Sequence, residues 1–392
     1  MKRSTLLVTN DLGPHAGGIE SFILGLVGQM DGNQIVIYTS TEDGYEEFDK
    51  QLNEDYGVIV IRDKTSMLLP TPRINRAVAK VLMEYHCEYV WFGAAAPLAL
   101  MAGRLKKSGA KKIVALTHGH EVWWAKVPLF NVALRMMAKN VDVFTYLGEF
   151  TKNAMRPALG KRANLQRIAP GIDIDHFSPG AKDAGLIAQY RLEDKKVIVC
   201  VGRLVRRKGQ DRLVESMPGV LKEHPDAHLL VVGRGTYVKH LQKRAKKLKI
   251  QSHITFVGRI KFAELPLYIR LGEIFAMPSR SRYFGLEVEG LGIVYLEASA
   301  CGIPVIAGAS GGAPDAVIEH QTGLVVDGNN IGKISAAINS LLADPELRRS
   351  MSARGREWTV QEWSWRLWGA RFKELLYTCL LYTSDAADDT PC

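Results

Sequence analysis

The chain has 392 residues, 47% of them hydrophobic, which is enough to bury two hydrophobic cores. Its formal net charge of +10 favours an anionic partner, and nucleic acid, an acidic membrane surface and a phosphate-bearing substrate all fit that charge. The five cysteines are odd in number and include no CxxC pair, so they indicate neither a disulfide framework nor a zinc site, and they suit a reducing cytosol.

Neither a signal peptide nor a membrane span is predicted. The apolar run after Lys2 and Arg3 ends at Thr9-Asn10-Asp11, too early for a signal peptide. The longest uncharged apolar stretch, 90–103, contains Pro97 and is shorter than the ~20 residues that span a bilayer. Contact with a membrane from one side remains possible, and the segment Met67 to Pro70 followed by Arg73 and Arg76 is a candidate for it.

Short β-branched runs alternate with longer helical patterns, which is typical of parallel sheets with crossover helices. In the first half, strands are predicted near residues 5–10, 34–38, 58–61, 89–92, 112–117 and 141–146, with helices near 19–30, 74–85 and 98–107. In the second half, strands are predicted at 197–201, 228–232, 254–257, 274–277, 304–307 and 323–326. The pattern predicts two doubly wound, Rossmann-like α/β domains that face each other across a cleft.

Domain boundaries follow from composition. The segment 169–179 (APGIDIDHFSP) is rich in turn formers, so we predict an N-terminal domain at 1–172 and a C-terminal domain at 173–363. A terminal helix at 364–377 begins with large apolar residues and is expected to cross back to the first domain. The tail 378–392 has no periodicity and resembles translated vector sequence, or else a disordered tail, and it is excluded from the fold.

The segment 289–297 (EGLGIVYLE), called the clamp below, sets two carboxylates eight residues apart around a turn that enters an apolar helix. Gly290 and Gly292 leave bare backbone amides at the helix start, where phosphate binds favourably. Because carboxylates do not bind phosphate, Glu289 and Glu297 are expected to accept hydrogen bonds from sugar hydroxyls on either side of a diphosphate. The clamp therefore predicts a nucleotide-sugar site.

The segment 202–210 (GRLVRRKGQ), called the basic loop, follows the first strand of the second half. Arg203 and Lys208 are five residues apart, so both can converge on one anion and stabilise charge that grows on a leaving diphosphate. A solvated basic loop or a nucleic-acid contact is the alternative interpretation. Ile260, after a later strand, is a candidate for contact with the base.

Three positions in the first half are candidates because they follow predicted strands. Gly17 and Gly18 open the first helix and allow a phosphate to approach the backbone, although an ordinary turn explains them equally well. Asp11 is a candidate to hold an acceptor hydroxyl or merely to cap a turn.

His118, at the end of the fifth predicted strand, is placed to reach a sugar hydroxyl, and His120 is a weaker candidate for acceptor contact. The two histidines have no third ligand at usable spacing, so we predict no metal site and no cofactor.

The linker 171–179 (GIDIDHFSP), the basic loop with Asp211, and the segment 289–308 (EGLGIVYLEASACGIPVIAG) together resemble retaining GT-B glycosyltransferases of family 4, which carry a Glu-x7-Glu motif. The resemblance covers nearly the whole chain outside the tail. Three further stretches, 91–103, 117–124 and 285–317, are similar to actinobacterial GDP-mannose-dependent mannosyltransferases that act on phosphatidylinositol monomannoside.

This resemblance implies a role for each matching residue. Lys208 and Arg203 would bind the diphosphate, Glu297 the ribose and Glu289 the transferred sugar. The remaining contacts to the donor would come from Gly292, Ile293 and Val294 at the phosphates, Ile260 near the base, and Gly17, Gly18 and His118 from the first domain. His118, Glu289, Arg203 and Lys208 would be the catalytic residues.

The implied activity is α-1,6 transfer of mannose from GDP-mannose to phosphatidylinositol monomannoside, without a metal, by a peripheral enzyme at the cytoplasmic face of the plasma membrane. The lipid-linked acceptor and the nucleotide sugar would be its partners, and nucleic acid would not. Two alternatives stay open: transfer of another GDP- or UDP-hexose to a soluble sugar or other lipid, and, more distantly, a basic nucleic-acid-binding protein.

Overall fold

The computed structural model describes residues 4–14, 17–119 and 121–378. The predicted tail, apart from Thr378, and the candidate His120 lie outside this part of the chain. The chain forms two compact units. The first unit comprises the described residues of 1–115, 139–143 and 369–392, and the second comprises those of 116–138 and 144–368. The domain boundary near residue 172 stays a prediction.

The first sheet has seven strands in the order β3-β2-β1-β4-β5-β6-β7. They are β1 Thr5–Thr9, β2 Ile35–Ser40, β3 Ile59–Asp63, β4 Tyr89–Phe92, β5 Lys112–Ala115, β6 Val143–Tyr146 and β7 Leu165–Arg167. Strands β1 and β2 are buried along their whole length, as expected for parallel strands covered by helices on both faces. The order places a topological switch point between β1 and β4.

The second sheet has six strands, all parallel, in the order β10-β9-β8-β11-β12-β13. They are β8 Lys196–Val201, β9 Ala227–Val232, β10 Ile254–Gly258, β11 Ile274–Met277, β12 Val305–Gly308 and β13 Gly323–Val326. Here the switch point lies between β8 and β11. The fold is therefore α/β with two doubly wound parallel sheets, as the alternation of strands and helices predicted.

Fifteen α-helices are found in the described part of the chain. In the first half they are α1 Gly18–Val27, α2 Tyr45–Tyr56, α3 Pro72–Glu84, α4 Ala102–Lys107, α5 Glu121–Lys126, α6 Pro128–Ala138 and α7 Glu149–Leu159. In the second half they are α8 Ala184–Tyr190, α9 Gln210–Glu223, α10 Val238–Lys247, α11 Leu265–Arg270, α12 Ile293–Ala300, α13 Ile331–Ala343, α14 Pro345–Glu362 and α15 Trp365–Tyr377. Within the described ranges, no helix has the length and apolar character needed to cross a bilayer.

The terminal helix α15 packs on the first sheet from Gly369 onward. The ring of Phe372 lies 5.0 Å from that of Trp91, and the ring of Tyr377 lies 5.0 Å from that of Tyr89. The Tyr377 hydroxyl also lies 3.0 Å from Thr5 Oγ1. Residues 369–378 belong to the first unit, so the crossing expected from the apolar residues of this helix is confirmed.

All twelve predicted strands are present, with ends shifted by at most a few residues. Sequence reasoning missed β7, which has three residues and buries only Leu165. In the first half it also missed helices α2, α5, α6 and α7. Of these, α2 buries only Leu52 and so has little apolar periodicity to detect. Short or mostly solvated elements carry the weakest hydrophobic signal, because most of their side chains face water.

Candidate functional site

The basic loop leaves β8 at the switch point of the second sheet, beside the end of β11. Ligands of open parallel sheets bind at this edge, because adjacent strands send their connections to opposite faces and leave a crevice. The loop is fixed to the chain that follows β11, since the backbone amide of Arg280 donates to the carbonyl of Arg207 at 2.8 Å. Sheet topology thus places the predicted diphosphate-binding residues where a nucleotide is expected.

A buried ion pair holds the start of α9, which follows the basic loop. Both guanidinium nitrogens of Arg280 donate to the carboxylate of Asp211 at 2.8 Å, and the Tyr237 hydroxyl donates to the same carboxylate at 3.2 Å. Burial alone would raise the pKa of Asp211, but the hydrogen bonds from Arg280 outweigh it and lower that pKa. The Asp211–Arg280 pair therefore stays charged and fixes the loop rigidly.

Lys208 and Glu289 join the basic loop to the clamp. The Lys208 ammonium donates to Glu289 Oε1 at 3.0 Å and lies 3.0 Å from Oε2. Both residues are buried, with 9% and 6% of their surface exposed. A buried ion pair of this kind forms only where the two partners meet in good geometry, because desolvation of each charge is costly. Two motifs 81 residues apart are thus one cluster.

Arg207 completes this cluster, although sequence reasoning did not select it. Its Nη1 lies 3.6 Å from Glu289 Oε2, is fully buried and donates no hydrogen bond to any described residue. Glu289 Oε2 is likewise buried and accepts no hydrogen bond there. Buried polar atoms are almost always hydrogen-bonded, so these two atoms, which compensate each other only as charges, are candidates for hydrogen bonds to a polar ligand. The adjacent basic residues in the loop were the available signal.

The charges around Glu289 keep it ionised. Burial raises its pKa, but Lys208 and Arg207, with a smaller contribution from Arg203, bring that pKa below its ordinary value. Arg203 is exposed, and its backbone carbonyl accepts a hydrogen bond from the Gln210 side chain at 3.1 Å. The site therefore holds a carboxylate able to accept hydrogen bonds from hydroxyl groups.

Helix α12 begins in a conformation that requires glycine. Gly292 has φ +80°, and a Cβ there would lie 2.4 Å from the ring of Tyr295. The Tyr295 hydroxyl donates to the carbonyl of Met277 at 2.7 Å, which anchors the helix to β11. The backbone amides of Ile293 and Val294 lie in the first turn and have no intrahelical acceptor, so they are available to an anion.

The clamp loop contacts two other loops through its backbone. The carbonyl of Glu289 accepts a hydrogen bond from the amide of Gly312 at 2.9 Å. A Cβ on Gly290 would lie 2.7 Å from the carbonyl oxygen of His118, so only glycine allows this approach. The structure thus places the loop of His118 against the residue after Glu289, and all of these residues belong to the second unit.

Glu297 lies within α12, in the turn after its first, and is 8% exposed. Its carboxylate accepts no hydrogen bond from a described side chain or amide, and burial raises its pKa to about 7, against a small opposite effect of Lys208. A buried carboxylate without a partner is stabilised by a ligand that brings hydroxyl donors. This is the chemistry that the sequence predicted for the second acidic residue of the clamp.

The raised pKa of Glu297 predicts a pH-dependent stability. In the unfolded chain its pKa is near 4.5, and in the folded chain near 7. Below about pH 4.5 the carboxyl of Glu297 is protonated in both the folded and the unfolded state, so it has no effect on stability. Between pH 4.5 and 7 the folded state keeps this proton and the unfolded state loses it. The free energy of unfolding therefore falls by about 3 kcal/mol over this range. Glu297→Gln should abolish this loss, as measured by Tm of both proteins between pH 4.5 and 8. Equal pH slopes would contradict the assignment.

The remaining predicted site residues are Ile260 in the second unit and Gly17, Gly18 and Asp11 in the first. Ile260 is half-buried, two residues beyond β10. In the first unit, Gly17 and Gly18 are exposed at the start of α1, and a Cβ on either would meet nothing within 4 Å. Packing therefore does not require glycine at these two positions. Asp11 is half-buried, with its amide bound to Thr9 Oγ1 at 2.9 Å. The roles of these residues stay predictions.

Within the described ranges, no group of three or more His, Cys, Asp or Glu residues is arranged to hold a metal ion. Residues 173–175 (DID) follow the first sheet, and the Asp173 carboxylate accepts hydrogen bonds from the amides of Asp175 and His176 at 3.2 and 3.0 Å. This aspartate therefore caps a turn.

Two family models match the chain. The model described as Glycosyltransferase Family 4 matches residues 16–176, and the model described as Glycosyl transferases group 1 matches residues 186–358. Among solved structures, the Anabaena protein HepE in complex with UDP is similar with a TM-score of 0.80 at 18% identity, covering 95% of this chain and 99% of that one. Sucrose-phosphate synthase from Thermosynechococcus elongatus gives a TM-score of 0.78 at 22% identity, covering 95% and 98%. These likenesses establish the GT-B fold.

Curated relatives match at higher identity. A GDP-mannose-dependent alpha-(1-6)-phosphatidylinositol monomannoside mannosyltransferase from Mycolicibacterium smegmatis is 43% identical over 95% of this chain and 97% of its own length. A GDP-mannose-dependent monoacylated alpha-(1-6)-phosphatidylinositol monomannoside mannosyltransferase from Corynebacterium glutamicum is 42% identical over 95% and 98%. The chain therefore belongs to glycosyltransferase family 4 and is a glycosyltransferase, as the resemblance of its motifs implied.

Proposed function

We propose that the protein transfers mannose from GDP-mannose to a phosphatidylinositol monomannoside, forming an α-1,6 linkage. The observation that supports this most strongly is the buried cluster of Lys208, Arg207 and Glu289 beside the free amides of α12, within a chain 43% identical to enzymes of that name. The cluster offers cations to a diphosphate and carboxylates to hydroxyls, which are the groups that a nucleotide sugar carries.

In this proposal the diphosphate lies between the basic loop and α12. Lys208 and Arg203 supply positive charge from one side, and the amides of Ile293 and Val294 supply hydrogen bonds from the other. Negative charge grows on the diphosphate as the glycosidic bond breaks, so these fixed donors stabilise the transition state more than the bound substrate. Because the protein's own cations meet this charge, we propose that the reaction needs no metal.

The two carboxylates bind the hydroxyls on either side. Glu289 accepts hydrogen bonds from the mannose through Oε2, which has no hydrogen-bond donor in the described part of the structure. Glu297 accepts hydrogen bonds from the ribose. Its pKa near 7 leaves it partly protonated before the donor binds, and the ribose hydroxyls then favour its ionised form by donating hydrogen bonds to it. Donor binding therefore supplies hydrogen-bond donors to Glu289 Oε2 and to Glu297, two buried acceptors that accept no hydrogen bond from the described residues.

The stereochemical course in this proposal is retention. The acceptor hydroxyl attacks from the face that the diphosphate leaves, and the departing phosphate oxygen takes the hydroxyl proton. A double displacement would need a carboxylate on the opposite face of the sugar, and the two clamp carboxylates serve in hydrogen bonding to the donor. Trapping a covalent glycosyl–enzyme adduct would count against this course.

The lipid-linked acceptor places the reaction at a membrane surface, and we propose that the protein binds the cytoplasmic face of the plasma membrane from one side. An anionic leaflet attracts a protein with a net charge of +10 and pI near 9.3.

One assay tests the donor, the acceptor and the metal together. The purified protein is incubated with GDP-mannose, UDP-glucose or UDP-N-acetylglucosamine, each with phosphatidylinositol monomannoside or with soluble mannosides, and products are identified by mass spectrometry and linkage analysis. We expect a dimannosylated lipid with GDP-mannose alone, at a rate that a metal chelator does not change. Faster turnover of a UDP-hexose, or of a soluble acceptor, would replace the proposal with a related transferase activity. A rate abolished by chelation would overturn metal independence only.

A further inference from the structure

Helix α6 exposes large apolar side chains along one face. Leu129, Val132 and Met136 are 76%, 53% and 53% exposed, and their spacing of three and four residues places them on one side of the helix. The helix packs through a different face, where Leu134 and Met137 are buried. A soluble helix ordinarily turns its apolar side chains inward, so an outward apolar stripe indicates a binding surface.

The loop 282–287 presents further apolar groups. Phe284 is fully exposed and Tyr283 and Leu286 are largely exposed. Tyr283 and Phe284 have φ values of +50° and +55°, a left-handed conformation that is costly for aromatic residues. The loop is nevertheless closed by an ion pair between Arg282 and Glu287 at 2.9 Å. Backbone strain is thus maintained at a position where an aromatic ring faces outward.

The helix and the loop adjoin. The Lys126 ammonium, at the end of α5, donates to the carbonyl of Gly285 at 2.9 Å. Behind this contact, the rings of Trp123 and Trp124 pack on Phe130 at 4.8 and 4.7 Å. We call the outward side chains of Lys126, Leu129, Val132, Arg135 and Met136, with those of Tyr283, Phe284 and Leu286, the basic–apolar surface. All of its residues belong to the second unit.

The uncompensated charge of this surface is positive, because Glu287 in the loop is already paired with Arg282. Residues 122–138 contain Lys126 and Arg135 and no acidic residue. Arg135 is exposed and forms no ion pair with any residue of the described ranges. Anionic lipid head groups attract such cations while the apolar side chains enter the region between head groups and acyl chains. A second copy of this chain would bring like charges together.

Two other basic segments differ from this surface. Helix α10 carries several lysines, but its apolar residues Leu241 and Ala245 are buried, so only its charged side chains face solvent. In the segment that the sequence suggested for membrane contact, Met67 and Leu69 are exposed, and both terminal guanidinium nitrogens of Arg73 are bound to Asp63 at 2.9 and 2.8 Å. The charge of Arg73 is therefore compensated, whereas Arg76 is exposed and forms no ion pair within the described ranges, so this segment is the rival surface that the test includes as its control.

We propose that the basic–apolar surface binds an anionic phospholipid bilayer. The inference rests on the proposed function, whose acceptor is a lipid, and it adds which part of the molecule meets that lipid. Phe284 and the stripe of α6 enter the interface, and Lys126 and Arg135 lie against the phosphate groups.

The test is co-sedimentation of the full chain with vesicles of phosphatidylcholine and phosphatidylglycerol, compared with vesicles of phosphatidylcholine alone. The double variant Leu129→Ser/Phe284→Ser should weaken binding to the anionic vesicles about tenfold or more, since both side chains are exposed and each loses apolar contact with the bilayer. Arg135→Gln should weaken it about fivefold at low salt and less at high salt. The matched control is Met67→Ser/Leu69→Ser, for which we expect a change under twofold.

Separate readouts distinguish the possible results. Unchanged Tm values verify that the variants fold, and unchanged transfer to a detergent-solubilised acceptor shows that the catalytic site is intact. If the Met67→Ser/Leu69→Ser control loses binding instead, or if the double variant binds within twofold of the parent, the proposal is wrong. If the double variant abolishes self-association in analytical ultracentrifugation but leaves vesicle binding intact, the surface is an interface between copies. Surface-dependent vesicle binding without mannose transfer would leave this inference standing and overturn the proposed function.

Discussion

Glu289→Gln is expected to lower kcat for sugar transfer by roughly 10²–10³, the loss typical of removing one fixed electrostatic contact to a reacting group. The amide has the shape of the carboxylate but not its charge, so it accepts hydrogen bonds weakly and no longer pairs with Lys208, which lies 3.0 Å away. Initial rates at saturating and limiting donor separate kcat from KM. We expect the larger change in kcat, because the hydrogen bonds to the sugar strengthen as charge develops on its ring.

Glu287→Gln is the matched control. Glu287 is two residues away, is half-buried, and pairs with Arg282 at 2.9 Å outside the cluster. Its substitution removes one negative charge from the same segment, so a general effect of charge would appear in both variants. We expect the Glu287 variant to retain parental kcat within about twofold, on the scale of surface substitutions. A Glu289 variant of equal activity would remove the clamp from the mechanism.

Lys208→Met is expected to abolish measurable donor binding and to destabilise the second unit by roughly 3 kcal/mol. The cost arises because Glu289 keeps its burial but loses the cation that compensates it, leaving only Arg207 at 3.6 Å and the more distant Arg203. Burial then raises the pKa of Glu289. Isothermal titration with GDP-mannose and thermal unfolding measure the two effects separately.

The direction of the pH dependence in the Lys208 variant follows from that change. When the folded pKa of a carboxyl exceeds its unfolded value, the penalty is absent below the unfolded pKa and complete above the folded one. The Tm deficit of the variant should therefore shrink as pH falls towards 4.5, the ordinary pKa of a glutamate. A deficit that is constant across this pH range would show that lost packing, and not an unpaired carboxylate, causes the destabilisation.

A double variant separates stability from catalysis. Lys208→Met combined with Glu289→Gln removes both charges, so it should recover most of the stability lost in the single variant, while transfer remains absent. Lys222→Met, on the exposed side of α9, is the control for the substitution itself. Recovery of stability together with activity would contradict the proposal that the lysine meets the diphosphate.

The cluster already compensates its own charges. Lys208 binds the carboxylate that is proposed to hold the sugar, and Arg207 lies 3.6 Å from the same carboxylate. A bound donor would therefore exchange one set of charge contacts for another. Such a site favours ligands that carry an anion and hydroxyl groups together, because either group alone leaves part of the cluster uncompensated.

Periodicity determined the fold class. The predicted strands 5–10 and 228–232 are centred on uninterrupted apolar runs at 6–8 and 229–232, which is typical of parallel sheets because helices cover both faces. The alternation with helices then favoured a doubly wound order, and the structure has that order in both sheets. Element boundaries were less well predicted, since the last turn of a helix depends on local capping; α1 ends at Val27 rather than near Met30.

Motif spacing by itself determined Glu289, Glu297 and Lys208 as candidates, because each residue type and its interval along the chain suit a diphosphate with hydroxyls on both sides. Only the tertiary structure decided that Lys208 contacts Glu289, that Arg207 joins them, and that the anchor of α12 is the Tyr295 hydroxyl on Met277. The structure also shows that α6 exposes an apolar face to solvent. The spacing of apolar residues along the sequence is the same for an exposed face as for a buried one. The reason is physical: periodicity reports which side chains share a face, whereas the partner of that face is set by contacts between residues far apart in the chain.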